Sequence, residues 1–296
     1  MTYPFVEPAR PAGRRRGAFR LVRRISFSLA LLFFAWLWFL WPPPAWYRWA
    51  WPRQTAFMSM RRGEERQAPK QNGAVGELPR RLYQPVPMEA IAPVAQAAAL
   101  VAEDHRFYEH AGIDYVEFRH ALGYRPDDFS LGNAKDRAEL WRAIQRTRAG
   151  KGRLRGASTI TQQLAKNLYL SPSRNPLRKL KEAVTAWRLE YWLGKERILE
   201  LYLNVVELGP EVWGVEAASR RYFGHPARQL TLDEAAALAG SLPFPLKSNP
   251  GYRPGRMRWR QAMILRRVRG EKIEIPRTAE EVDSVRPDTT EIPARN

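Results

Sequence analysis

The stretch PVAQAAALVAEDHRFYEHAG, Pro93 to Gly112, runs an apolar helical pattern into a pair of acids that a helix has reason to reject. Proline at the first helical position and a stripe of Val94, Ala98 and Val101 predict a helix ending near Ala102. Glu103 and Asp104 then fall at its C-terminal end, where the macrodipole is negative and each exposed acid costs about 0.3–1 kcal/mol. Two readings fit. Either the acids are solvated residues leaving a helix, with Phe107 and Tyr108 turning back to the core, or chemistry keeps them there.

Outward from this stretch, helical patterns dominate from Pro93 to about Arg269, and no alternating apolar and polar run reads as a central strand. The expected fold class is mostly α. The clearest helix start is TLDEAAALAGSL, where Thr231 and Glu234 form a capping box before an Ala/Leu run. Residues Pro52 to Pro87, rich in Arg, Gln, Gly and Pro, read as a linker, and the chain after Gly270 as a loose tail. At 296 residues there is material for one large domain or two small ones, and no internal repeat is visible.

The N-terminal side carries a different signal. ISFSLALLFFAWLWFLW, Ile25 to Trp41, is an uncharged apolar run at the short end of what spans a bilayer. Trp46, Tyr47, Trp49 and Trp51 follow as an aromatic belt would. Seven arginines (Arg10, Arg14, Arg15, Arg16, Arg20, Arg23, Arg24) against one acid, Glu7, precede the run and predict a cytoplasmic N-terminus. A cleaved signal peptide is the rival reading, opposed by the long aromatic run and by Pro42 to Pro44 where a small-residue cleavage site would lie. Formal net charge is +19, and the segment before residue 25 accounts for +6 of it, leaving about +13 on the remainder. Such a surface beside a bilayer suits anionic headgroups or a phosphorylated lipid, and the anchor places it away from nucleic acid. Zero cysteines decide nothing about the compartment.

Two further stretches bear polar groups in quantity. In RGASTITQQLAKNLYL, Arg155 to Leu170, Ser158 is the expected N-cap and Ile160, Leu164 and Leu168 the core stripe. That leaves Gln162 and Lys166 stacked on one side, with Gln163 and Asn167 beside them, as an anion-binding face or an ordinary wet one. In SRNPLRKLKEAVTAWRLEYWL, Ser171 to Leu193, the cations Arg174, Arg178, Lys179 and Lys181 crowd a helix entry and oppose its dipole. An Arg178–Glu182 pair at i, i+4 contributes only about 0.2–0.5 kcal/mol and does not explain four cations. A bound pyrophosphate does. Between these segments and the first, Gly123 to Gly152 is strongly polar, apart from a helical pattern with Leu140, Trp141 and Ile144 on one face. That pattern fits an interfacial helix or a plain surface helix. A carboxylate base candidate, a second carboxylate and a basic cradle together suit displacement of a phosphate-type leaving group at a sugar carbon. No P-loop, H-E-x-x-H or Cys/His cluster competes, and His110 and His120 read as too isolated to ligate a metal.

In order along the chain, EDHRFYEHAG, GASTITQQLAKN, RKLKE, KERILELYLN (Lys195 to Asn204) and GVEAASRRYFG (Gly214 to Gly224) resemble the five motifs of the peptidoglycan glycosyltransferases of family 51. The match covers roughly Pro85 to Val268 and resembles the monofunctional branch, not the bifunctional penicillin-binding proteins. The resemblance implies a lysozyme-like, mostly α domain that polymerises lipid II into β-1,4 glycan strands and releases undecaprenyl pyrophosphate with inversion. With the tail, apolar run and linker read above, residues 1–24 are expected as a basic cytoplasmic tail, 25–41 as a transmembrane helix, and 42–84 as a juxtamembrane linker. Residues 85–270 then form a periplasmic glycosyltransferase domain on the bacterial inner membrane, and 271–296 a loose tail.

By the same resemblance Glu103 is the general base and Glu182 a second catalytic carboxylate, with Asp104 in support. Lys166 and Arg174 map to phosphate-contacting positions, and Ser158, Gln162 and Gln163 to substrate-contacting ones. Arg178, Lys179 and Lys181 extend the basic wall. Some members of the family use Mg²⁺ or Mn²⁺. The implied partners are lipid II, the growing glycan strand, the membrane and other cell-wall synthesis or division proteins. Motifs four and five are chiefly structural there, matching the core stripe Ile198, Leu201, Tyr202 and Val205, so Asn204 and Glu216 are not expected to be catalytic. The segment Gly123 to Gly152 departs from the family in length and charge.

Overall fold

The structure is a computed structural model that describes residues 13–39, 44–67, 80–121, 130, 132–148, 158–169, 176–273, 275–276 and 282. Two compact units divide at residue 43. In the first, a single helix, α1 (Gly13–Phe39), begins inside the arginine-rich tail and runs on through the apolar stretch. Its large side chains are exposed, among them Phe27, Leu29, Leu32 and Phe34. Among the described residues, no helix is long and apolar enough to cross a membrane. The expected span ends outside them, since residues 40 and 41 are not described.

The second unit is mostly helical, and it begins earlier than the sequence suggests. The composition of residues 52–87 predicts a linker, yet α2 (Ala56–Gln67) within it, like the 3₁₀ turn (Pro44–Arg48) just before it, folds onto the domain. Thr55 and Met58 are buried. Arg61 reaches Glu207 with a bidentate pair of 2.9 Å contacts, and Arg197 donates to the carbonyls of Tyr47 at 2.8 Å and Ala50 at 3.0 Å. Charged side chains thus act as docking contacts where composition alone reads as solvated chain. Residues 68–79 lie outside the described set.

Next in order are α3 (Pro93–Glu103), α4 (Tyr115–Ala121), α5 (Ala134–Arg148), α6 (Ile160–Tyr169), α7 (Pro176–Leu193), α8 (Lys195–Val205), α9 (Val215–Phe223), α10 (Leu232–Ser241) and α11 (Gly255–Val268). Proline at the first position of α3 is as expected, but its core face is Ala95, Ala98, Ala99 and Ala102, with Val94 and Val101 only half-buried. The partner explains the rotation. Helix α3 packs on α10, whose Ala235, Ala236 and Ala239 are also buried, and small side chains on both faces allow close approach. Helix α10 starts with the expected capping box, Glu234 N–H donating to Thr231 Oγ1 at 3.3 Å and Thr231 N–H to Glu234 Oε2 at 2.9 Å.

A three-stranded sheet too short to register as an alternating pattern completes the unit. The strands are β1 (Leu82–Tyr83), β2 (Glu207–Gly209) and β3 (Val212–Trp213), in the order β1-β3-β2, with β1 parallel and β2 antiparallel to β3. Asn204 ties this region to the segment before α3 by accepting from Val86 N–H at 2.8 Å and donating to its carbonyl at 2.9 Å. Gly214, which leads β3 into α9, has φ +82°, and a Cβ there would clash with the Asn204 carbonyl oxygen. Gly214→Ala is therefore expected to lower the melting temperature of the detergent-solubilised protein by at least about 4 °C, from backbone strain and clash together. The start of the C-terminal tail is also packed: Ile275 and Val282 are buried, against the expectation of a loose segment from residue 271.

Candidate active site

Glu103 is the last residue of α3 and is 3% exposed, so it is not a solvated acid leaving a helix. Each of its oxygens has a donor. Oε1 accepts from Arg260 Nη2 at 2.7 Å, and Oε2 from Gln163 Nε2 at 2.9 Å. The Gln163 oxygen accepts in turn from the Tyr202 hydroxyl at 3.0 Å. Burial, and after it the negative charge of Glu103, holds the Tyr202 phenol well above its ordinary value, so it stays protonated and donates. The unfavourable helix-end position is offset by a buried guanidinium, which also donates to the Ala102 carbonyl at 3.0 Å.

Asp104 does different work. Its carboxylate accepts from the Ile160 backbone N–H at 2.9 Å and lies 3.0 and 3.1 Å from His110 Nε2. Ile160 is the first residue of α6, so Asp104 satisfies one of that helix's unpaired donors and sets its positive end. The cap itself is Thr159, not Ser158: Gln162 N–H donates to Thr159 Oγ1 at 3.1 Å, and Thr159 N–H to Gln162 Oε1 at 3.2 Å. A threonine followed three residues later by a glutamine is a capping box one position along from the expected one. Gln162 is thus buried with its oxygen on the backbone. Asp104→Ala leaves the Ile160 N–H and His110 without this acceptor, a loss of about 3 kcal/mol; Asp104→Asn, which keeps one oxygen, loses less. Thermal melts of the two variants measure the difference.

The core stripe of α6 is as expected, with Ile160, Leu164 and Leu168 buried. Gln163 and Lys166 lie half-buried on the helix, and the Lys166 ammonium sits 5.8 Å from the centre of the Phe57 ring of α2. Helix α7 packs on α6 and brings Glu182, 3% exposed. Lys179, at i−3, pairs with it at 2.8 Å. Lys179 and Lys181 are exposed. Arg174 and the side chain of Arg178 lie outside the described residues, as does the side chain of Ile144 on α5, where Trp141 is exposed.

His110 is not isolated. Ligand atoms of Asp104, His110 and Asp114 all lie within 4.8 Å of one another, the group among the described residues that could hold a metal ion. The residues do not fit Mg²⁺ or Mn²⁺ as they stand. The Ile160 N–H and His110 bind Asp104, Arg106 Nε lies 3.2 Å from Asp114 Oδ2, and Asp114 Oδ1 accepts from the N–H groups of Val116 and Glu117 at the start of α4. An octahedral cation would have to displace the guanidinium and backbone N–H groups that already hold these carboxylates. Glu216, like Asn204, is structural, accepting from Ala227 N–H at 2.7 Å and pairing with Arg220.

Nothing within a helical turn of Arg260 announces it in the sequence. The available signal is its register: on α11 it stands with Met257 and Ile264 on the buried face, where an apolar residue is expected.

This arrangement places the buried Glu103 carboxylate beside the amide-bearing α6, on which the lysine-bearing α7 packs. Residues 71–269 match the family described as transglycosylase, and the chain belongs to that family. More particular are its relatives. It is 36% identical over 270 residues to the biosynthetic peptidoglycan transglycosylase of Bordetella pertussis, covering 90% of this chain and 99% of the relative. Proteins of the same name from Thiobacillus denitrificans (39% identical; 76% of this chain, 84% of the relative) and Citrobacter koseri (42%; 62% and 66%) are also similar. All the expected site residues, Glu103 to Glu182, fall inside the matched range.

Proposed function

We propose that this transglycosylase polymerises lipid II into β-1,4 glycan strands at the outer face of the inner membrane. The carrying observation is Glu103, buried yet held at both oxygens, next to the α6 face that presents Gln163 and Lys166. One lone pair on each oxygen takes a protein donor, which leaves acceptor capacity for a substrate hydroxyl.

In the reaction, the Glu103 carboxylate takes the proton of the acceptor sugar's 4-hydroxyl. That oxygen attacks the donor's anomeric carbon from the face opposite the α-linked pyrophosphate. As the new C–O bond forms, the bond from the anomeric carbon to the phosphate oxygen breaks, and the electron pair leaves with undecaprenyl pyrophosphate. The product linkage is β. Lys166 stabilises the departing charge, with Lys179, Lys181 and, by the family resemblance, Arg174 and Arg178 adding positive charge. Lys179 neutralises the buried Glu182 and so shapes this wall as well as lining it. Ser158 and Gln162 support substrate contacts through the helix start they border. The account needs no metal step.

The apolar run of α1 and its continuation to Trp41 serve as the membrane anchor. As a helix, 17 residues reach about 26 Å, slightly short of a hydrocarbon core of about 30 Å, and the flanking arginines and tryptophans suit its two interfaces. Cell-wall synthesis or division proteins are the natural neighbours of such an enzyme. The deciding test supplies purified protein with labelled lipid II in detergent and resolves products by length. Polymer supports the proposal; shortening of preformed glycan, with no polymer, replaces it with a cleaving enzyme.

A further inference from the structure

We propose that Arg260 is a positioning residue for Glu103, holding its carboxylate in the orientation that meets the acceptor hydroxyl; this rests on the reading of Glu103 as the base. Arg260 is completely buried in α11. Its guanidinium is held by three carbonyls from separate parts of the fold: Pro276 at 2.6 Å from Nε, Ala239 near the end of α10 from Nη1, and Ala102 at 3.0 Å from Nη2. The remaining contact of Nη2 is Glu103 Oε1 at 2.7 Å.

Packing alone does not call for this side chain. Removing a guanidinium from water is costly, and buried ion pairs replaced by apolar residues of similar volume often leave a protein as stable or more so. What an apolar residue at position 260 cannot do is fix a carboxylate. Three carbonyls immobilise the guanidinium, and the guanidinium fixes Oε1. From the other side Tyr202 orients Gln163, and Gln163 fixes Oε2. The carboxylate is thereby held at both oxygens from two directions. The positive half of the clamp is Arg260, whose Nη2 lies 2.7 Å from Glu103 Oε1.

The test uses the full-length chain in detergent with labelled lipid II, measuring kcat and KM for Arg260→Lys and Arg260→Ala, each normalised to folded protein by its melting curve. Misplacing a reacting group by about 1 Å costs about 10²-fold, so Arg260→Ala is expected to lose about that much in kcat while KM changes less than about 3-fold. Arg260→Lys keeps the charge without the fork geometry and is expected to lose about 10-fold. Added methylguanidinium restores part of the Arg260→Ala kcat. A purely structural arginine shows loss of folded protein with unchanged kcat per folded molecule, and that result overturns the proposal. If Arg260→Ala does not fold, an unchanged kcat in Arg260→Lys overturns it equally. Failure of the underlying reading looks different: Glu103→Gln then retains polymerisation.

Discussion

Glu103→Gln abolishes polymer formation from labelled lipid II while leaving the melting temperature close to that of the unmodified protein. The expected loss is at least about 10²–10⁴-fold, the range supplied by a positioned general base. The substitution isolates the chemistry because the surrounding hydrogen bonds can be remade. A glutamine oxygen still accepts from Arg260, 2.7 Å from the present carboxylate oxygen. Its amide nitrogen then faces Gln163, and Gln163 can rotate its own amide to present oxygen. The Tyr202 hydroxyl, now a donor to Gln163, becomes the acceptor. What glutamine cannot do is take a proton. Polymerisation at the unmodified rate by a folded Glu103→Gln protein would remove the base from this position and, with it, the reason for the clamp around it.

The second large effect is at Lys166. Lys166→Ala is expected to lower turnover on the order of 10²-fold or more through loss of leaving-group stabilisation, comparable to deletion of an oxyanion donor. Alanine also removes the side-chain stem above the Phe57 ring, so Lys166→Met is the informative companion. Methionine keeps an apolar stem over Phe57 and deletes the charge. Equal losses in kcat for the two variants assign the effect to charge; a nearly normal Lys166→Met assigns it to packing between α2 and α6. The contact also means that α2, docked through Arg61 and Glu207, supports the substrate side of α6. Composition alone reads as a linker there.

The parts of the site that were legible in the sequence are those encoded within a few residues of chain. Proline at the start of α3, the Thr231–Glu234 box and the Ile160, Leu164 and Leu168 stripe are local patterns, and each appears as expected. Errors of one position arose where two local solutions compete. Ser158 and Thr159 are both good caps, and the glutamine three residues on favours the threonine. The core face of α3 turned from valines to alanines because its partner α10 is alanine-rich, which periodicity within α3 does not register.

The pair of acids at Glu103 and Asp104 marks the limit of that legibility. By itself the sequence determined the helix, the acids at its end, their order with the polar α6 and cationic α7 segments, and hence the family. Only the tertiary structure decided what each acid does. Glu103 turns to Arg260 and Gln163, 157 and 60 residues away, whereas Asp104 turns to His110 and the first N–H of α6. The physical reason is that helix formation and capping depend on groups within about one turn. A buried charge must instead find its compensating donors wherever the packed elements bring them.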